Sequence, residues 1–112
     1  MSRLICLLVL LAGGCGWVPA DEQAIRTFFA QSSLYDRTQL ATVAQVVFDP
    51  RVEGVVARFD VVSREDTLDE GRIRRVARLD AVVRSRGGTS HRTIFVTLEQ
   101  AGTSRWMITA YR

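Results

Sequence analysis

The stretch Arg72-Ile73-Arg74-Arg75-Val76-Ala77-Arg78-Leu79-Asp80-Ala81-Val82-Val83-Arg84 decides the fold. Ile73, Arg75, Ala77, Leu79, Ala81 and Val83 alternate with Arg72, Arg74, Val76, Arg78, Asp80, Val82 and Arg84. A period of two marks a strand with one dry face and one wet face. The pattern resumes beyond Gly87-Gly88, where Ile94, Val96 and Leu98 take every second position. A two-residue turn at Gly87-Gly88 sets Arg86 opposite Thr89. Counting back then puts Ala81 opposite Ile94, Leu79 opposite Val96 and Ala77 opposite Leu98, so dry residue meets dry residue throughout.

The same period continues on both sides. Upstream, Val55, Ala57, Phe59 and Val61 alternate with Val56, Arg58, Asp60 and Val62; downstream come Trp106, Ile108 and Ala110. Residues 66–71 and Ala101-Gly102-Thr103 carry the remaining turn chemistry. A three-residue turn at the latter pairs Leu98 with Trp106 and Val96 with Ile108, whereas a two-residue turn would swing the last dry face outward. The pattern predicts four antiparallel strands.

Residues 19–31 predict a helix. Pro19 suits a first turn, Asp21 and Glu22 complement the positive end of the dipole, and Ile25, Phe28, Phe29 and Ser32 form one stripe. Residues 34–48 mix two signals: Asp36 with Gln39 is a weak capping box, while Val43, Val46, Val47 and Phe48 favour strand. The expectation is a short second helical segment that breaks before Asp49-Pro50. Helices on one face of a curved four-stranded antiparallel sheet make an α+β domain.

The helix from Asp21, the long strands and the ending Gly102-Thr103-Ser104-Arg105-Trp106-Met107-Ile108 together resemble the nuclear transport factor 2-like (cystatin-like) superfamily. The resemblance implies a helix-on-sheet cone. In enzymes of that superfamily it also implies an Asp or His base, often with a Tyr, inside the cone. The inward positions expected here include none of these residue types.

The N-terminus reads as an address. Arg3 precedes an apolar run from Leu4 to Ala12, and Gly13 and Gly14 follow it, the three parts of a secretion signal. The run is far shorter than the ~20 apolar residues that cross a bilayer. Leu11-Ala12-Gly13-Gly14-Cys15 resembles the lipobox of bacterial lipoproteins, with Ala12 where Leu is commoner. It implies lipidation of Cys15 after removal of residues 1–14, a tether over 15–20 and a single domain over 21–112. By the same resemblance, Gly16 after the Cys points to the outer membrane in a Gram-negative envelope. The rival is cleavage after Val18-Pro19-Ala20, which gives a soluble periplasmic or secreted product. Cys6 leaves with either signal, so the mature domain is held by packing alone, without a disulfide.

All 15 basic residues are Arg, and 12 acidic residues interleave with them, leaving a net charge of +3. That balance, with export, argues against nucleic acid as a partner. His91 stands alone without Cys or carboxylate neighbours, is expected beside the Gly-Gly turn facing Arg84, and makes no metal site. Tyr35-Asp36 is a possible donor and base, with helix capping by Asp36 the simpler reading. Asp66, Asp69 and Glu70 lack calcium-loop spacing, and Thr89-Ser90-His91 does not by itself make a nucleophile triad. Arg75 is the one charged inward residue and is expected near Gln100 and Ser63 at the sheet end, as a polar rim or an anion-binding end.

Outward, Arg58, Asp60, Arg74, Arg78, Asp80 and Arg84 are expected to form an ion ladder, mixed with Val56, Val62, Val76, Val82, Phe95, Met107 and Tyr111. The reading is a non-enzymatic envelope lipoprotein without a cofactor, binding a protein partner or a second copy through this face. The alternatives are a small-ligand or isomerase/dehydratase-like cone-pocket protein and a membrane-held inhibitor or immunity protein.

Overall fold

A computed structural model describes residues 18–102 and 105–112. A helix, α1 (Ala20–Leu34), is followed by two single-turn helices, α2 (Arg37–Leu40) and α3 (Pro50–Glu53). Four strands then run β1 (Val55–Asp69), β2 (Arg72–Ser85), β3 (Gly88–Gln100) and β4 (Trp106–Tyr111). The sheet is antiparallel in the order β1-β2-β3-β4. The fold is α+β, a helix packed on an open four-stranded sheet.

The helical stripe is as expected and longer: Ile25, Phe28, Phe29 and Ser32 are buried, joined by Asp21 and Ala24. They lie on Ala77, Leu79, Ala81 and Val83 of β2, and on Ile94, Val96 and Leu98 of β3, to make the core. Residues 34–48 are only partly helical. Asp36 caps α2 by accepting the Gln39 N–H at 3.1 Å, and helix ends after one turn. The β-branched residues beyond it prevail: Ala44 bridges Ile108 in parallel, and Ile108 N–H donates to the Val43 carbonyl at 2.8 Å.

Both predicted hairpin registers are off by two residues. Ser85 pairs with Gly88, so the turn is Arg86-Gly87; Leu79 faces Ile94, Ala77 faces Val96 and Arg75 faces Leu98. At the last hairpin Gln100 faces Trp106 and Leu98 faces Ile108, with Ala101 N–H bonded to the Arg105 carbonyl at 2.8 Å. Thr103, placed in that turn by the sequence, lies outside the described residues. A slip of two leaves every side chain on its face, so the apolar pattern is blind to it.

Three bulges do change faces. β1 is irregular at Ala57 and again at Val62, and the β3–β4 ladder shifts at Thr97. An extra residue reverses the alternation beyond it. Hence Val56, not Val55 or Ala57, lies on the dry side opposite Val83. Arg64 and Asp66 share that side, and Ser63 is moved to the wet one opposite Arg78. Tyr111 turns inward opposite Val96, while Ala110 becomes exposed. Residues expected to turn at 66–69 instead extend β1, and the turn is Glu70-Gly71, both with positive φ (52° and 79°).

Candidate functional site

Arg75, singled out from the sequence, sits at the centre of an ion cluster. Its Nε and Nη2 donate to the two carboxylate oxygens of Asp66 at 2.7 and 2.9 Å, and its Nη1 donates to Asp21 Oδ2 at 3.0 Å. Arg64 Nε donates to the same Asp21 oxygen at 2.6 Å, and Asp21 Oδ1 accepts the Glu22 N–H at 2.8 Å. The Arg75 guanidinium also stacks over Trp106, 4.6 Å from the ring centre. Gln100, expected beside Arg75, lies on the same face two residues beyond Leu98, the residue opposite Arg75. Ser63 is on the other face and takes no part.

Asp21 is 2% exposed. Burial by itself pushes its carboxyl upward, but the hydrogen bonds from Arg64 and Arg75 outweigh it and hold the group below the usual range. Asp66 is likewise held low, chiefly by Arg75. Both carboxylates are therefore ionised and engaged at neutral pH. General acid–base work needs a proton affinity near the working pH and a free approach to substrate, and this cluster offers neither.

Tyr111, missed as an inward group, packs its ring 5.1 Å from Phe48 and 6.1 Å from Phe28. Its hydroxyl donates to Glu53 Oε2 at 3.1 Å, and burial, then Glu53, push the phenol up to about 12. Glu53 also takes Arg92 at 3.3 Å, so this group ties α3 to the sheet. His91 faces Val82, not Arg84, and is exposed.

At the far end of α1, Tyr35 takes a left-handed backbone (φ 56°) and its hydroxyl donates to Asp49 Oδ1 at 2.6 Å. That bond raises the phenol and lowers the carboxyl. Tyr35 and Asp49 wall a cleft of about 320 Å³. Asp36, the sequence candidate beside Tyr35, is exposed and spends its carboxylate on the α2 cap.

No helix covers the wet face of the sheet, and none of its described residues is buried. The expected ion ladder is mostly absent among the described residues. Arg74 pairs with Asp69 at 2.9 Å and Glu99 at 3.4 Å. Arg58, Asp60, Arg78, Asp80 and Arg84 make no ion pair, and Asp60 lies directly opposite Asp80. Phe95, half-buried under the Arg112 guanidinium at 4.5 Å, sits among them with Val76, Val82 and Met107. Sequence periodicity located this face correctly, but Val56 and Tyr111 do not belong to it.

The chain matches no protein-family model, no curated protein and no solved structure. Among the described residues no helix is long and apolar enough to cross a membrane, and no group of three His, Cys, Asp or Glu is placed to hold a metal ion.

Proposed function

We propose that this chain is a membrane-anchored envelope lipoprotein, acylated at Cys15, whose nuclear transport factor 2-like domain performs no catalysis and binds a protein partner through the wet face of its sheet. Cys15 lies outside the described residues, so the anchor is supported by the signal-like apolar run and the small residues before the thiol. The helix on a four-stranded antiparallel sheet and the ending Trp106-Met107-Ile108 support the family resemblance.

The observation that carries the binding surface is electrostatic. Asp60 and Asp80 face each other, which is unfavourable in an isolated sheet. Arg58 and Arg78, each two positions along a strand from one of these aspartates, make no ion pair among the described residues. Phe95, Val76 and Val82 supply apolar area between the charges, the composition of a binding surface with an aromatic anchor. A partner with complementary charges relieves the Asp60–Asp80 repulsion.

A photo-reactive amino acid placed at Thr93, in the middle of this face, is expected to yield one discrete adduct in intact cells. The same group at Arg26, exposed on α1, is expected to yield none. An adduct of twice the chain mass identifies a second copy as the partner. No adduct from Thr93, or equal labelling from Arg26, sinks the proposed surface.

A further inference from the structure

The cleft beside Tyr35 has features that the sheet-face reading leaves unused. None of its lining comes from the sheet; it is built wholly from residues 35–51, between α1 and β1. Its floor is Leu40 and Ala44, both buried, and Val46 and Val47 continue the apolar wall. Its rim carries Arg37 and Arg51. Arg51 is committed: its guanidinium lies 5.4 Å from the Tyr35 ring centre, with its Nε 3.6 Å from Asp49. Arg37 makes no ion pair among the described residues, whereas the cleft's carboxylate, Asp49, is already taken by Tyr35 and the Arg51 N–H.

A second observation is conformational. Tyr35 ends α1 with φ 56°, a region where Gly or Asn is usual and a bulky residue is strained. Strain of this kind persists where the surroundings over-determine it and collects at ligand clamps. Here the Asp49 hydrogen bond and the Arg51 stack hold the ring as a wall of the cleft. Among the described residues, four of the six exposed large hydrophobics, Leu34, Tyr35, Val47 and Val52, also fall in or beside this segment.

We infer that this cleft binds a small amphipathic carboxylate, with its hydrocarbon body on Leu40, Ala44 and Val47 against the Tyr35 ring and its carboxylate on Arg37. An apolar wall with one free cation is complementary to such a molecule, and to neither a bare anion nor a neutral hydrocarbon. At roughly 30 Å³ per water-sized atom, a volume of about 320 Å³ holds about ten non-hydrogen atoms. Octanoate has that size. The inference depends on neither the anchor at Cys15 nor the sheet face.

The test is a titration of the purified, cell-processed protein with octanoate, octanol and acetate, followed by backbone amide resonances. Octanoate is expected to shift residues 35–51 saturably, and acetate to leave them unmoved. Octanol and the Arg37→Gln variant are each expected to weaken binding about tenfold, the loss of one charge-assisted contact. Arg37 is exposed, so an unchanged spectrum elsewhere shows that the variant is folded. Val47→Asp, also at an exposed position, is expected to abolish binding by placing an anion in the wall. Equal binding of octanol, or an Arg37→Gln variant that binds normally, overturns the carboxylate assignment. Shifts outside residues 35–51, or none that saturate, overturn the site.

Discussion

Asp21 shows how much can hang on one residue. As sequence it completes a helix dipole. In the fold it is the shared counter-ion of Arg64 and Arg75, and it joins the first turn of α1 to the C-terminal half of β1 and the N-terminal half of β2. Replacing it by Asn keeps the shape and removes the charge, leaving two half-buried guanidiniums short of a partner. Asp21→Asn is expected to cost about 2–3 kcal/mol in urea unfolding, because removing one member of a buried pair leaves the others uncompensated. The sign with pH follows from the lowered carboxyls of Asp21 and Asp66. Their contribution is fully present above the usual carboxyl value near 3.8 and is lost as pH falls below it toward their folded-state values. Stability of the natural chain is therefore expected to drop steeply below about pH 4, and that of Asp21→Asn less steeply. Equal acid slopes for the two would remove the cluster from the explanation. Arg75 was visible in the sequence as a charge on a dry face. Its partners were not, because one extra residue at Val62 moves Arg64 and Asp66 onto that face.

At the scale of elements, legibility follows what the periodicity measures. Alternation reports parity, so the existence of four strands and the dry face of β2 and β3 could both be read. It cannot report a slip of two, which preserves parity, and it is misled by a bulge, which reverses it. Turn chemistry carries the missing information. Ser85 closes on Gly88 (φ 114°), and Glu70-Gly71 takes the two positive φ values of a hairpin turn. Gly54 is the sharper case, since it turns α3 into β1 at φ 93°, and a Cβ there would lie 2.7 Å from the Arg84 carbonyl oxygen and 2.8 Å from Val83 Cγ1. Gly54→Ala is expected to destabilise by roughly 2 kcal/mol or more. Gly71→Ala, with similar φ (79°) but nothing within 4 Å of the added methyl, is expected to cost only about 1 kcal/mol. Thermal unfolding of the two variants checks the ordering. Cross-strand contacts in an NMR spectrum decide the register independently: Leu79 is expected to meet Ile94, and a Leu79–Val96 pair in its place would restore the register drawn from the glycines.

Across the whole molecule, the two ends of α1 differ in kind. Its N-terminal end is closed by the Asp21 cluster, with Trp106 stacked on Arg75. Its C-terminal end is open, with Tyr35 and the cleft about 20 Å away along a helix rising 1.5 Å per residue. The uncovered sheet face lies on the side of the sheet away from α1. Only Gly16 to Pro19 separate Cys15 from Ala20, the first residue of the helix, a span of at most ~18 Å at 3.3–3.6 Å per residue. A domain acylated at Cys15 would sit close to the bilayer. The central proposal, anchoring through Cys15, is tested most directly by intact mass and membrane partition of the protein expressed with its own signal, beside Cys15→Ser. A mature chain beginning at Cys15, carrying acyl mass and partitioning with membranes, with both properties lost in the variant, is the predicted result. A soluble chain beginning at Asp21 without added mass would contradict it.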